Sequence, residues 1–257
     1  MKFAIIDRTD YNSIQQRNEI KKQLMEHGLE YDEKYPDLVI CVGGDGTFLR
    51  AIHQYIDILD TTMFVGIHTG TLGFLTDFTQ REINELIHLI VHTTPVIENR
   101  PMLKIEFKDK EEVCYALNEV RISSMDRTLK LDIYIDDEFF EQTSGSGICV
   151  STQVGSSALN RALNGAVVDP GLDVLQLCEI MPVVNKNHHS LQNPYIMKET
   201  RKLTIKGEFL HYANINYDHL SANLEDVNEI LISSSTKKVR FARYRTYSYL
   251  KRLKNLY

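Results

Sequence analysis

The sequence predicts an α/β domain joined to a β-rich second domain, and three observations carry that reading. Short apolar runs at Phe3 to Ile6, Leu38 to Val42 and Thr62 to Ile67 alternate with helical patterns, which argues a parallel sheet. From about Glu98 apolar residues alternate with polar ones between polar turns, which argues antiparallel β structure. Between Leu38 to Val42 and the helical spacing of Leu49, Ile52 and Ile56 stands Gly43-Gly44-Asp45-Gly46-Thr47, the layout of a strand, a glycine turn and a helix start.

The elements follow in order. The loop after the first run, Asp7-Arg8-Thr9-Asp10, has no glycine, so a dinucleotide fingerprint at the first turn is absent. A polar helix is expected over Ser13 to His27, with Ile20 and Leu24 on one face and Gly28 as its stop. In the five-residue loop, three glycines permit positive φ and a close approach of backbone to a ligand. N–H groups at the next helix start favour an anion such as phosphate. Asp45 is the odd member, because a carboxylate repels phosphate unless it takes a proton or holds a metal. The same string also reads as an Asp-Gly turn between strand and helix. Past Thr62 to Ile67 comes a second glycine-bearing loop, His68-Thr69-Gly70-Thr71-Leu72-Gly73-Phe74. Parallel sheets bind ligands beyond the C-terminal ends of their strands, where both loops lie. Thr79 and Glu82 fit a capping box, ahead of a helix whose Ile83, Leu86, Ile87 and Ile90 share a face.

The second domain is expected over 98–233, and the first over 1–97 plus 234–257. Met102 to Phe107 and Val113 to Leu117 flank the polar turn Lys108-Asp109-Lys110, and Leu131, Ile133 and Ile135 alternate ahead of a turn at Asp136-Asp137. The pattern recurs at Leu203 to Ile205, Ile215 to Tyr217 and Ile230 to Ile232. Asn118-Glu119 closes the run before it; an amide beside a carboxylate can read an adenine edge and a ribose diol, or be a strand-end polar pair. Ser144-Gly145-Ser146-Gly147 and Ser151 to Asn160 are rich in small residues, and present hydroxyls and N–H groups or form tight turns. Val239, Phe241 and Ala242 suggest a last strand, and Ser248 to Leu256 a short basic helix. Lys237 to Tyr257 holds eight Lys or Arg and no acid, a phosphate-facing tail or, as the favoured reading, a solvated face.

Bulk properties exclude several classes. Of 257 residues 43% are hydrophobic and 25% charged, ordinary for a soluble globular chain. A net charge of −6 and a pI near 5.9 argue against nucleic acid as partner. Cys41, Cys114, Cys149 and Cys178 lack C-x-x-C spacing, which points to free thiols in a reducing cytoplasm. A charge arrives too soon after Met1 for a signal peptide, and no apolar run approaches the roughly 20 residues of a membrane helix.

The glycine loop, the segment Gly66 to Phe74, Asn118-Glu119, Ser151-Thr152 with Gly155-Ser156-Ser157-Ala158, Asp218-His219 and Phe241-Ala242-Arg243-Tyr244-Arg245 occur together and in this order. In these residues the chain resembles bacterial NAD kinases of the Gram-positive type, over essentially its whole length. The resemblance implies a Rossmann-like α/β domain, a β-sandwich second domain and a C-terminal segment returning to the first. It implies transfer of the ATP γ-phosphoryl group to the 2′-hydroxyl of the adenosine ribose of NAD, giving NADP. A divalent cation such as Mg²⁺ would escort the nucleotide, with no ligand set assigned, and the assembly would be a homodimer or homotetramer. Asp45 would be the catalytic base, and Gly43, Gly44, Gly46 and Thr47 would hold phosphoryl oxygens. NAD would be bound by Asp45, Gly46, Phe74, Asn118, Glu119, Ser146, Ser157, Ala158, Leu159, Asn160, Arg161 and Ala162. Departures cluster at the nicotinamide half. The family commonly has Arg-x-Asp-Gly where this chain has Ser144-Gly145-Ser146-Gly147, a Tyr at Leu159, a Ser at Ala162 and Pro at Gln153. Two other readings remain open on the residues: a diacylglycerol-type lipid kinase, which carries a similar glycine loop, and a non-catalytic nucleotide-binding paralogue.

Overall fold

The computed structural model describes residues 1–70, 73–184, 190–208, 210–222 and 227–254. Thr71 and Leu72 of the second glycine loop, and the end of the expected terminal helix at Asn255 to Tyr257, lie outside the described residues. The chain divides into two compact units, Met1–Arg100 with Lys237–Tyr257 and Pro101–Thr236.

The first unit begins with β1 (Lys2–Asp7) and α1 (Tyr11–Glu26). Asp10 caps α1 by accepting from Ser13 N at 3.1 Å, and Gly28, at φ +82°, turns the chain away after His27. A short β2 (Glu30–Tyr31) precedes β3 (Leu38–Val42), which is buried at every residue. Then come α2 (Asp45–Gln54), β4 (Met63–His68), β5 (Phe78–Thr79) and α3 (Ile83–His92). The expected capping box forms at Thr79 and Glu82, on the single 3₁₀ turn that leads into α3. The strands pair in parallel, with β1 beside β3 (Phe3 opposite Leu38) and β3 beside β4 (Leu38 opposite Met63). Because all side chains of β3 are apolar, it takes the central, doubly covered place. Ile20 and Leu24 of α1 and Leu86, Ile87 and Ile90 of α3 join Phe3, Ile40 and Ile67 in one core.

The second unit is antiparallel. Its strands are β6 (Val96–Phe107), β7 (Val113–Ala116), β8 (Glu119–Ser123), β9 (Leu129–Ile135), β10 (Glu138–Gly145) and β11 (Gly147–Thr152). After a 3₁₀ turn at Val154–Ser157 and the short α4 (Leu159–Ala162) come β12 (Val174–Ile180), β13 (Tyr195–Lys198), β14 (Leu203–Lys206), β15 (Asn214–Tyr217), β16 (Leu220–Ala222) and β17 (Glu229–Arg243). Asp136 and Asp137 both take positive φ, as the tight turn between β9 and β10 requires. One layer contains β10, β9, β14 and the start of β17; the other runs β13-β12-β11-β8-β15-β16. Leu131, Ile133, Leu203, Ile205 and Ile232 from the first layer meet Val120, Ile122, Ile148, Val150 and Leu177 from the second in one core, a β-sandwich.

Two elements differ from the sequence reading. Ile230 to Ile232 and Val239 to Ala242 belong to one 15-residue strand, β17. Its first residues pair antiparallel with β14 and Arg240 and Phe241 pair parallel with β4, because the polar stretch between them keeps extended backbone without breaking the strand. The basic end is only in part a solvated face: Lys238, Lys251 and Lys254 are exposed, whereas Arg243 and Arg252 turn inward. Lys237–Tyr257, which ends in α5 (Tyr249–Leu253), belongs to the first unit. Arg243 pairs with Asp77 at 2.7 Å and Glu98 at 2.5 Å, and Arg252 pairs with Asp77 at 2.8 Å while buried.

Candidate active site

In the first unit, the glycine loop stands at the C-terminal end of β3. Gly43 N donates to Ile67 O at 2.9 Å and so ties the loop to β4. A Cβ on Gly43 would sit 2.3 Å from Thr47 Oγ1, whereas Gly44 and Gly46 face open space. The positive φ that these glycines permit is not used: among described glycines only Gly28 and Gly147 have it. Gly43 is required by close packing, and Gly44 and Gly46 leave backbone uncovered. The helix also begins earlier than expected, with Gly44 at its N-cap and Asp45 in its first turn. The N–H groups of Asp45 and Gly46 therefore have no intrahelical acceptor and are available to an anion.

Asp45 is fixed by the second loop. Its Oδ2 accepts from Phe74 N at 2.8 Å and its Oδ1 from Leu75 N at 3.0 Å. Gly73 makes the approach possible, since a Cβ there would lie 2.1 Å from Asp45 Oδ1. Burial pushes the Asp45 carboxyl up; the two N–H donors, Arg252 and His68 oppose that shift. The result is a held carboxylate of increased basicity. The second loop is braced by a residue that sequence reasoning missed. Tyr247 OH donates to Phe74 O at 2.9 Å, and its ring lies between the guanidinium groups of Arg243 and Arg252, at 4.1 and 4.0 Å. The Phe74 ring meets Tyr249 edge-on, with centroids 5.6 Å apart. The only sequence signal was aromatic residues spaced among arginines.

In the second unit, Asn118 lies between β7 and β8, and Glu119 opens β8 rather than closing the previous run. Asp218 sets this corner by accepting from Leu117 N and Asn118 N, both at 2.8 Å. Asn118 O accepts from Thr152 N at 2.9 Å, and Gly155 packs so tightly on it that a Cβ would come within 2.0 Å. Asn118 thus has both backbone groups engaged, and among the described residues no hydrogen bond restrains its side-chain amide. Glu119 is buried, and its Oε2 has no partner; neither has Oγ of Ser151, its cross-strand neighbour. Burial pushes the Glu119 carboxyl up to about 7, with the nearby Asp218 adding to the shift. Two orphaned polar atoms side by side are what a ligand bearing hydroxyls would satisfy.

The remaining sequence-derived residues fall into three settings. Ser157 and Ala158 end the 3₁₀ turn after β11, half-buried, and Leu159, Arg161 and Ala162 lie on α4. Asn160 points inward: its amide donates to Ser156 O and Ala166 O, both at 3.2 Å, and its Oδ1 accepts from Cys178 Sγ at 3.1 Å. Its side chain shapes the segment, so a ligand would meet only its backbone. Ser144 lies near the end of β10, and Ser146 joins β10 to β11. Ser144 is buried, and Ser146 Oγ lies 3.9 Å from Met181 Sδ with no charged partner. All four cysteines are buried and free. Among the described residues, no three His, Cys, Asp or Glu side chains gather to hold a metal.

Two solved structures share this fold: a yeast NADH kinase complexed with NADH, with a TM-score of 0.85 at 18% identity over 100% of this chain and 87% of that one, and an NAD kinase from Archaeoglobus fulgidus in complex with ATP, with a TM-score of 0.78 at 24% identity over 100% and 97%. Their architecture places the protein in the fold class of two-domain dinucleotide kinases. Sequence carries the assignment further. The family model for the ATP-NAD kinase N-terminal domain matches residues 5–94, and that for the C-terminal domain matches 110–244. NAD kinase 1 of Bacillus subtilis (strain 168) is 36% identical over 99% of this chain and 97% of its own length, and NAD kinase 1 of Bacillus anthracis is 35% identical over 99% and 98%. The chain belongs to the ATP-NAD kinase family.

Proposed function

We propose that the protein is an NAD kinase that transfers the γ-phosphoryl group of ATP to the 2′-hydroxyl of the adenosine ribose of NAD. The observation that carries this is Asp45: a half-buried carboxylate, held by the N–H groups of Phe74 and Leu75, beside the uncovered backbone of Gly44 and Gly46. A ribose hydroxyl is a weak nucleophile. Asp45 takes its proton as the oxygen attacks the γ-phosphorus, the bond to the β–γ bridging oxygen breaks, and ADP leaves. The N–H groups at the start of α2 receive phosphoryl oxygens, since this transfer is mainly positioning and charge stabilisation. Mg²⁺ on the donor's phosphates would neutralise the charge on the leaving ADP. Asn118 recognises the adenine and Glu119 the ribose, with Ser151 supplying a second polar atom. Phe74, Ser157 and Ala158 line the adenosine. Leu159, Arg161, Ala162 and Ser146 serve the nicotinamide half, where polar anchors of the family are replaced. As in the family, the working assembly is a homo-oligomer.

Purified protein with NAD, ATP and Mg²⁺ should form NADP, and Asp45→Asn should reduce kcat by about 10²–10⁴-fold, the usual share of a general base. NADP formation by the variant at the wild-type rate would remove Asp45 from this role. No NADP from the wild type would remove the kinase reading in favour of nucleotide binding alone.

A further inference from the structure

Three buried polar atoms on one face of the second unit lack partners, and only two of them belong to residues with a role so far. In β8 and β11 the side chains of Val120, Ile122, Ile148 and Val150 enter the sandwich core. Those of Glu119, Arg121, Cys149 and Ser151 therefore point to the opposite face of the sheet. The register puts Glu119 opposite Ser151 and Arg121 opposite Cys149. Glu119, Cys149 and Ser151 are buried there, at 6%, 0% and 0% exposure, and Arg121 is half-buried. Oε2 of Glu119, Oγ of Ser151 and Nε of Arg121 have no hydrogen-bond partner. Glu119 feels Arg121 as a nearby positive charge, which opposes the upward push of burial on its carboxyl, yet no hydrogen bond joins the two. On the other side of Arg121 stands Asn216 of β15, which carries no charge. A hydroxyl satisfies an unpartnered carboxylate or serine. A guanidinium only donates, so its Nε–H needs an acceptor, and an anion is the strongest one.

We propose that Arg121 is a specificity residue for the dinucleotide, donating from Nε to its pyrophosphate while Glu119 and Ser151 take the adenosine ribose. Residues two apart on a strand present their side chains on one face, roughly 7 Å apart. In a nucleotide the 5′-phosphate lies one sugar ring beyond the ribose hydroxyls. Along β8 the face offers the matching order, an acceptor for hydroxyls and then a cation for phosphate. Adenosine fills the first place and leaves the second unmet, so Arg121 separates dinucleotide from nucleoside. The identity of the ligand rests on the NAD kinase reading; the class of group that Arg121 takes does not.

The probes are ADP-ribose, which carries adenosine and pyrophosphate without nicotinamide, and adenosine, which carries no phosphate, each titrated calorimetrically into the full chain. Arg121→Gln should weaken ADP-ribose binding about tenfold, the share of one hydrogen bond to a charged group, and leave adenosine binding unchanged. Glu119→Gln should weaken both. Arg121→Lys keeps a charge but has no Nε–H, and it should also bind ADP-ribose more weakly than wild type. Unchanged ADP-ribose binding in both Arg121 variants, equal weakening of the two probes by Arg121→Gln, or no wild-type binding of ADP-ribose overturns the assignment. In steady-state assays Arg121→Gln should raise KM for NAD about tenfold at constant kcat and constant KM for ATP. If wild type makes no NADP, the kinase reading fails while the calorimetry still decides Arg121. If wild type makes NADP and Arg121→Gln keeps its KM for NAD, the Arg121 assignment fails and the kinase reading stands.

Discussion

Asp45 is a half-buried carboxylate and Glu119 a buried one; desolvation disfavours the ionised form of each, yet their surroundings differ. Asp45 has a backbone donor on each oxygen, so its geometry is set within the first unit before any substrate arrives. Glu119 keeps an oxygen without a partner, beside the unpartnered hydroxyl of Ser151. The first is the arrangement of a group that must be aimed, and the second that of a group completed by what it binds. Under the proposed function, preorganisation and recognition fall to different carboxylates.

Substitutions that disturb one arrangement and spare the other test this contrast. After Asp45→Asn, the largest effect is expected from Gly73→Ala. Its Cβ would fall 2.1 Å from Asp45 Oδ1 and force the carboxylate aside. We expect a roughly 10²-fold loss in kcat with the circular dichroism spectrum retained; full activity would show that Asp45 need not be held there. The kcat of the wild type should rise with pH along a limb displaced above the ordinary carboxylate range, because Asp45 acts ionised and burial pushes its carboxyl up.

Glu119→Gln should raise KM for NAD about tenfold while kcat changes little, since a hydrogen bond to a charged group is worth about 1.5–3 kcal/mol. The same variant has a signature in stability. The folded-state carboxyl lies at about 7 against 4.5 when unperturbed, so the folded chain holds its proton more tightly. That contribution is complete below pH 4.5 and is lost as pH rises through 7, roughly 3 kcal/mol in all. Chemical denaturation at pH 5 and pH 8 should show a smaller fall in stability for Glu119→Gln than for wild type. An identical fall would mean that Glu119 is not desolvated. The smallest effect is expected from Ser146→Asp, which restores the acid common in the family. It should lower KM for NAD severalfold and leave Asp45-dependent kcat unaltered, and a changed kcat would break the separation of the two ends.

Much of this was legible in the chain. Leu38 to Val42 reads as a buried strand because its run of apolar side chains suits a strand covered on both faces, and Asp136-Asp137 reads as a turn because short polar side chains tolerate positive φ. Asp45 stood out as an acid in a loop otherwise suited to phosphate, whereas Asn118-Glu119 read equally as a strand-end polar pair. Local pattern alone could not say that Ile230 and Phe241 share one strand, since an extended backbone through polar residues looks like a break.

By itself, then, the sequence determined the alternation of strands and helices, the β-rich second unit and the glycine loop, all set by side-chain periodicity and backbone permission within a few residues. Only the tertiary structure decided what satisfies each buried charge. That Gly73 admits Asp45, that Asp218 ties down Asn118 from 100 residues away, and that Tyr247 reaches Phe74 O from 173 residues away depend on partners distant in the chain. Hydrogen bonds and ion pairs act over a few ångströms of space, and no spacing along the sequence encodes which distant groups will supply them.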